Sequence, residues 1–118
     1  MNTRKIGDEL EDRVLDDLNT VGGKLQKLGF TTTANSGAKW SDGDLTHPDY
    51  VIECKVKSTQ KGFSAPNSEL KKVKEIADKT LKDWIYIQEV SEGRTMVLMD
   101  YEAFMEITEA HRKGFLND

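Results

Sequence analysis

Apolar residues recur every three or four positions along the first quarter of the chain. This spacing lines up on one face of an amphipathic helix, so the sequence predicts a helix across residues 6–28. Because glycine lowers helix propensity, we expect a break or a kink at the pair Gly22 and Gly23. The apolar positions are Ile6, Leu10, Val14, Leu18, Val21, Leu25 and Leu28.

Three strands are predicted to follow this helix. The first covers residues 30–34, which are rich in strand-favouring side chains. A loop of small polar residues leads to a short second strand at residues 44–46, and a turn at residues 47–49 leads into the third strand. The third strand, residues 50–56, is β-branched and mostly apolar, which indicates a central strand buried on at least one face.

The second half of the chain predicts a helix, a hairpin and a final helix. Ser68 is a candidate N-cap for a helix that ends near Lys82. Residues 84–90 and 95–99 have the pattern of a hairpin, and a third helix covers about residues 101–113. The resulting order, αβββαββα, predicts an α/β or α+β fold in which helices flank a mixed central sheet.

Length and composition favour one small intracellular domain. A chain of 118 residues is in the single-domain range, so we expect one domain spanning residues 1–118. The single cysteine, Cys54, excludes an internal disulfide and a cysteine-rich zinc site, which favours a reducing, cytoplasmic setting. No segment approaches the roughly 20 apolar residues of a membrane span, and we expect no membrane association.

The charge of the chain is unevenly distributed. The formal net charge is -4, which by itself disfavours binding to nucleic acid. However, residues 55–82 hold eight lysines against three acidic residues, whereas the first predicted helix is strongly acidic. A basic region beside an acidic cluster is what a nuclease needs to hold a metal ion against a phosphate.

The predicted third strand carries a candidate catalytic pair. The period of two in a strand places Glu53 and Lys55 on one face, while Cys54 points to the other face and packs as a small apolar residue. The predicted turn at residues 47–49 folds the preceding strand back, so that Asp44 can approach Glu53. Asp42 is the competing choice for Asp44. The simpler alternative is that Glu53 and Lys55 form the solvated face of an edge strand.

Two carboxylates and an ammonium group suit metal-dependent phosphodiester hydrolysis. Mg²⁺ prefers hard oxygen ligands, and it lowers the pKa of a bound water and neutralises charge on the phosphate. A nearby lysine can orient the attacking water. We therefore expect Mg²⁺ as the cofactor, with Mn²⁺ as a substitute. Candidate contacts to the DNA backbone are the basic side chains of Arg4, Lys5, Lys39, Lys57 and Lys61.

These residues resemble the core of the PD-(D/E)xK nuclease superfamily, and in particular the archaeal-type and phage Holliday junction resolvases. The resemblance rests on Gly43-Asp44 followed by Ile52-Glu53-Cys54-Lys55, with Gly43 in place of the proline of the family's name. Gly7 and Glu11 are similar to the Gly-x-x-x-Glu of the resolvases, and Ser36-Gly37 is similar to their loop near the scissile phosphate.

The resemblance implies a restriction-endonuclease-like core and a set of site residues. Asp44, Glu53, Glu11 and the backbone carbonyl of Cys54 would bind the metal ion, and Lys55 would position the attacking water. Further implied contacts to DNA come from Ser36 and Ser58.

The implied substrate is a four-way junction or other branched DNA, cut by a homodimer in the cytoplasm, or in the host cytoplasm if a phage encodes the chain. The alternatives are a nicking, repair or restriction-like nuclease acting on duplex or single-stranded DNA, and a catalytically silent DNA-binding module.

Overall fold

A computed structural model of the chain describes residues 3–20, 31–32 and 45–116, with side chains at 9–18 and 45–114. The described residues have the order α, β, β, β, α, β, β, α, which confirms the predicted α+β class and its element order. The elements are α1 (Thr3–Thr20), β1 (Thr31–Thr32), β2 (Leu45–Thr46), β3 (Tyr50–Lys57), α2 (Asn67–Thr80), β4 (Asp83–Val90), β5 (Thr95–Met99) and α3 (Tyr101–Leu116).

The strands form one mixed sheet in the order β1-β2-β3-β4-β5. The pairs β1–β2, β2–β3 and β4–β5 are antiparallel, and the central pair β3–β4 is parallel along its whole length. A parallel pair needs a crossover connection, which α2 supplies. The sequence prediction that residues 50–56 form a central buried strand is confirmed.

One face of the sheet packs against α1. Leu10 and Val14 of α1 are buried in one cluster with Ile52 and Cys54 of β3 and with apolar residues of β2 and β4. The period of two along β3 explains this set, because Ile52 and Cys54 point to the same side. The buried stripe of α1 agrees with the predicted amphipathic helix.

The other face of the sheet packs against α2. Leu70, Val73 and Ala77 are the buried residues of α2, and they recur at helical spacing, as expected for a helix lying on a sheet. A hydrogen bond from Tyr86 of β4 to Glu69 joins the two layers. The sheet therefore lies between two helices on opposite faces.

Three details differ from the sequence prediction or fall outside the described residues. Ser68 is not the N-cap of α2, because the helix begins at Asn67 and Pro66 occupies the cap position without a side-chain hydrogen bond. Helix α1 is described only to Thr20, so the predicted continuation to residue 28 and the break at the glycine pair lie outside the described residues. Within the described part of the chain, no helix has both the length and the apolar character needed to cross a bilayer.

Candidate active site

The hairpin of β2 and β3 aligns the segment that holds the predicted acidic residues. Its turn is closed by two backbone hydrogen bonds, from the amide of His47 to the carbonyl of Tyr50 (3.0 Å) and from the amide of Tyr50 to the carbonyl of His47 (3.3 Å). The imidazole Nδ1 of His47 also accepts a hydrogen bond of 3.0 Å from the amide of Asp49. The resulting register pairs Leu45 with Ile52, so the predicted turn is confirmed.

Glu53 and Lys55 lie together on the α2 face of β3. Glu53 is buried, with 6% of its surface exposed, although it lies in the middle of the sheet. The ammonium nitrogen of Lys55 is 3.9 Å from Oε1 of Glu53, and the side chain of Lys55 is about half exposed. The carboxylate is thus held inside the protein, while its partner reaches toward solvent.

Cys54 points away from this pair. Its side chain is buried in the apolar cluster beneath α1, as the alternation along the strand predicts. A buried thiol among apolar residues packs as a small hydrophobic group. The predicted contribution of Cys54 to a metal site is its backbone carbonyl, and its side chain belongs to the core.

Glu11 lies on the flank of α1 that is directed away from β4 and β5. The guanidinium group of Arg13 donates a 2.7 Å hydrogen bond to Oγ1 of Thr95 and lies 3.8 Å from Glu89, so this flank of the helix faces β4 and β5. Glu11 is two residues earlier, which is about 200° around the helix axis. Its half-buried side chain is therefore on the side of β3 and β2, but α1 covers the face of the sheet opposite to the one that holds Glu53 and Lys55.

The described pairing between β2 and β3 is short. Within the described ranges, β2 pairs with β3 only at Val51 and Ile52. From Glu53 onward, β3 has a described strand partner on one side only, which is β4. Glu53 is nevertheless buried, with 6% of its surface exposed, so the described residues hold its carboxylate away from solvent.

A hydrogen-bonded network extends the α2 face beyond the Glu53 and Lys55 pair. The carboxylate of Glu69 forms an ion pair with Lys57 through Oε1 and accepts a hydrogen bond of 2.9 Å from the hydroxyl of Tyr86 through Oε2. The amide of Gln88 donates a second hydrogen bond, of 2.9 Å, to the same hydroxyl oxygen. Lys57, which the sequence suggested as a DNA contact, is thus engaged within the protein.

The network shifts two ionisation equilibria. The pKa of Glu69 is lowered, mainly by the hydrogen bond from the Lys57 ammonium group. Partial burial raises this pKa, and the hydrogen bond from the Tyr86 hydroxyl lowers it further. Burial is the main cause that raises the pKa of Tyr86, and its hydrogen bond to the Glu69 carboxylate adds to it. Both shifts favour an ionised Glu69 carboxylate and a neutral Tyr86 phenol, which are the protonation states that form this hydrogen bond.

Gln88 also clamps the loop that follows β3. Its Oε1 accepts a 3.1 Å hydrogen bond from the amide of Ser64, and its Nε2 donates a 2.9 Å hydrogen bond to the carbonyl of the same residue. The side chain of Gln60 donates a further hydrogen bond of 3.1 Å to Oε1 of Gln88. A fully buried side chain in the central sheet therefore sets the position of residues 58–66.

This loop presents two residues that the sequence suggested as DNA contacts. Lys61 is exposed, and its backbone carbonyl accepts a hydrogen bond from the guanidinium group of Arg94. Ser58 is exposed and borders a cleft of about 380 Å³ between α1 and the β4–β5 connection. The charged residues that line the cleft are Glu9, Arg13, Glu89 and Glu92, so its charged lining is mainly acidic. The cleft does not coincide with the Glu53 and Lys55 pair.

The side chains of the remaining predicted site residues lie outside the described part of the structure. Arg4 and Lys5 lie in the first turn of α1, since the helix begins at Thr3. Among the side chains that are described, no group of three or more His, Cys, Asp or Glu residues is arranged to hold a metal ion. The predicted residues that lie outside the described ranges are Ser36, Lys39, Asp42 and Asp44.

Comparisons of the chain with protein families, with curated proteins and with solved structures find no match. The assignment of a function therefore rests on the geometry and chemistry of the chain's own residues.

The interpretation of the sequence missed the network around Tyr86. It treated residues 84–90 only as a strand, yet the period of two places Tyr86 and Gln88 on the same face. A glutamine in an otherwise apolar central strand is a signal for a buried hydrogen-bonding role, because an amide buried without partners is costly. The partner residue, Glu69, could not be found in this way, because its position depends on how α2 packs on the sheet.

Proposed function

We propose that the chain is a metal-dependent DNA endonuclease of the PD-(D/E)xK type that cuts branched DNA, with a four-way junction as the substrate. The observation that carries the proposal is the buried carboxylate of Glu53 with the ammonium group of Lys55 at 3.9 Å on the same face of β3. Taking a carboxylate out of water costs several kcal/mol. A buried carboxylate beside a lysine is an arrangement frequent at functional sites.

Asp44 is the second carboxylate in this proposal. It is covalently joined to Leu45, which pairs with Ile52 across the antiparallel β2–β3 hairpin. If this pairing extends by one residue, Asp44 stands directly opposite Glu53. Residues directly opposite in an antiparallel pair point to the same face, with Cβ atoms about 5 Å apart. Two carboxylates at that spacing suit shared ligation of one metal ion.

The proposed donor set fits Mg²⁺. The carboxylates of Asp44 and Glu53, the carbonyl of Cys54 and the carboxylate of Glu11 all offer oxygen atoms, which hard divalent cations prefer. When bound, Mg²⁺ would activate a water and neutralise charge on the phosphate. Glu11 would have to reach this set around the edge of β3, because α1 packs on the face of the sheet opposite to the side chain of Glu53.

Lys55 has the position expected of a residue that acts on the substrate. Its ammonium group contacts the buried carboxylate, while about half of its side chain is exposed to solvent. It can therefore orient a water near the metal ligands and approach a phosphate that arrives from solvent. Lys57 does not share this freedom, since it is engaged with Glu69.

The surface near this pair also suits a polyanionic substrate. Exposed lysines lie along α2 and on the loop after β3, including Lys61, Lys71, Lys72 and Lys79. Phosphate contacts of this kind position a nuclease on DNA without reading its sequence. The acidic excess of the chain lies elsewhere, so its negative net charge does not oppose binding at this face.

Cleavage assays on two substrates test the proposal. A synthetic four-way junction and a linear duplex of the same sequence are incubated with the protein, with either Mg²⁺ or EDTA. We expect junction cleavage that requires Mg²⁺, with little cleavage of the duplex. Glu53→Gln should reduce the rate at least ~100-fold, because removing one ligand of a catalytic metal impairs charge stabilisation in the transition state.

Glu75→Gln is the matched control. Glu75 is an exposed residue of α2 that pairs with Lys71 at 4.0 Å, so the substitution makes the same chemical change on the same side of the sheet. It should leave cleavage unchanged. Metal-dependent cleavage of both substrates would favour a nicking, repair or restriction-like nuclease. Binding of DNA without cleavage in Mg²⁺ or Mn²⁺ would favour a silent DNA-binding module, and both results would contradict a junction resolvase.

A further inference from the structure

Glu53 and Lys55 belong to a larger polar patch on the α2 face of the sheet. The parallel register pairs Glu53 with Tyr86 and Lys55 with Gln88, and residues paired in this way point to the same face. Tyr86 and Gln88 are fully buried. The proposed catalytic pair therefore lies directly beside the hydrogen-bonded network that contains Glu69.

The patch holds two carboxylates and two ammonium groups. The ammonium group of Lys55 is 3.9 Å from Oε1 of Glu53, and Lys57 forms an ion pair with Oε1 of Glu69. Each carboxylate thus has a lysine partner, and the four charges sum to zero. Charges in a partly buried patch act on one another strongly, because solvent and salt screen them less than at an open surface.

The two ion pairs are close enough to influence each other. The pKa of Glu69 is lowered mainly by its hydrogen bond from Lys57, and the charge of Lys55 lowers it further. Burial is the main cause that raises the pKa of Tyr86, and the charge of Glu53 adds to it. Both carboxylates therefore attract Lys55, although its ion pair is with Glu53.

The partners of Glu69 explain why Lys55 pairs with Glu53. Oε1 of Glu69 binds the ammonium group of Lys57, and Oε2 accepts the 2.9 Å hydrogen bond from Tyr86. Both oxygen atoms of Glu69 thus have a donor, and Lys57 neutralises its charge. A second ammonium group gains little from a carboxylate that is already neutralised, so Lys55 stays with Glu53.

We propose that Lys57 is a positioning residue, which binds Glu69 and thereby keeps the ammonium group of Lys55 beside Glu53. The inference rests on the proposed nuclease function, in which Lys55 orients the attacking water. Lys57 acts on the reaction through Lys55 and does not contact DNA. This role replaces the contact to the DNA backbone that the sequence suggested for Lys57.

The exposure of the two lysines agrees with this division of roles. The side chain of Lys55 is 48% exposed, whereas that of Lys57 is 24% exposed. To bind a phosphate, Lys57 would have to leave Glu69. The carboxylate, whose side chain is 28% exposed, would then lose its counter-charge, and such a loss is costly for a partly buried group.

A single and a double substitution test the positioning role. In Lys57→Met, the charge of Glu69 is no longer neutralised and attracts Lys55 away from Glu53. We expect kcat for cleavage of the junction to fall at least ~10-fold, because a displaced catalytic group reacts slowly, while the Kd of the junction in EDTA stays unchanged. Adding Glu69→Gln removes the competing charge, so the double variant should recover most of the wild-type kcat. Glu69→Gln alone should keep kcat near that of wild type.

A direct contact between Lys57 and DNA predicts a different result. Lys57→Met would then weaken binding of the junction and reduce the slope of log K against log salt concentration by about one. Glu69→Gln would not restore the affinity. This result would overturn the proposal, and so would an unchanged kcat in Lys57→Met or a double variant as slow as the single one.

Lys113→Met is the matched control. Lys113 pairs with Glu109 at 3.9 Å in an exposed i,i+4 pair on α3. We expect neither Lys113→Met nor its combination with Glu109→Gln to change kcat. Circular dichroism and urea denaturation check that every variant is folded at the assay temperature, so that a loss of stability does not enter the measured kcat.

Crystal structures of the wild type and the variants, without DNA, locate Lys55 independently of cleavage. The Lys55 ammonium group should lie beside Glu53 in the wild type and in the double variant. In Lys57→Met it should lie within about 4 Å of Glu69, the distance of an ion pair. This pattern in a protein that cuts no DNA would support the positioning of Lys55 and contradict the nuclease function. An unmoved Lys55 in Lys57→Met would overturn the positioning role.

Discussion

The hydroxyl group of Tyr86 lies 2.9 Å from Oε2 of Glu69 and donates a hydrogen bond to it. The tyrosine is fully buried in β4, and the glutamate is in the first turn of α2, so this contact joins the sheet to the crossover helix. The same carboxylate binds the ammonium group of Lys57. One acidic side chain thus connects two strands and a helix directly beside the proposed active site.

The first prediction concerns the stability that Glu69 contributes. Because its pKa is lowered from 4.5 in the folded protein, its contribution is present above pH 4.5 and is lost as the pH falls through the lower folded pKa. Glu69→Gln should therefore reduce the free energy of unfolding by about 1–3 kcal/mol at pH 7. The difference from wild type should shrink below pH 4.5. Urea denaturation at a series of pH values measures it.

Glu75→Gln serves again as the comparison for this experiment. Glu75 is exposed and forms only an i,i+4 pair with Lys71, a type of contact worth a few tenths of a kcal/mol. Its removal should change stability little at any pH. If Glu69→Gln behaved in the same way, the network would contribute nothing to the folded state.

The second prediction concerns the loop clamped by Gln88. The side chain of Gln88 bonds both the amide and the carbonyl of Ser64. Gln88→Met keeps the size of the side chain and removes these hydrogen bonds, and it should cost about 1–3 kcal/mol because the loop's polar groups lose their partner. Hydrogen exchange of the Ser64 amide should become faster, whereas amides in the parallel β3–β4 pair should keep their relative protection.

Much of the fold could be predicted because it follows from local periodicity. The alternation along residues 50–56 assigned Cys54 to the core and Glu53 to the opposite face without knowledge of the packing. The predicted N-cap at Ser68 was wrong, since the cap position is Pro66, two residues earlier. Pro66 has an extended backbone at the cap position and makes no side-chain hydrogen bond there, so the helix begins without the capping contact that a serine would supply.

The site could be predicted only in part, because its components depend on contacts between distant elements. The pair of Glu53 and Lys55 follows from the spacing within one strand. In contrast, the engagement of Lys57 with Glu69 depends on the position of α2, and no pattern in the sequence specifies it. The exposure of Phe104 was not predicted either, because it depends on which elements pack against α3.

The third prediction is that Glu53 is needed for activity and does not stabilise the folded protein. Glu53→Gln removes a buried charge, so we expect the free energy of unfolding to stay within about 1 kcal/mol of wild type or to rise. Lys55→Met should destabilise by about 1 kcal/mol, because the carboxylate at 3.9 Å loses its counter-charge. Combining the two substitutions should cancel most of that loss. A large loss for Glu53→Gln alone would assign the residue a structural role.

The last prediction separates Asp44 from Asp42 as the metal ligand. The register that pairs Leu45 with Ile52 makes Asp44 the residue directly opposite Glu53 if the strand continues, and Asp42 two residues further away. A metal ion that binds the folded state raises stability by about 2.7 kcal/mol at 100 times its Kd, which corresponds to an increase in Tm of several degrees. We expect Mg²⁺ or Mn²⁺ to raise the Tm of wild type and of Asp42→Asn. The increase should be absent for Asp44→Asn and for Glu53→Gln. The opposite result for the two aspartates would move the site by two residues, and equal shifts in all four proteins would place metal binding elsewhere in the chain.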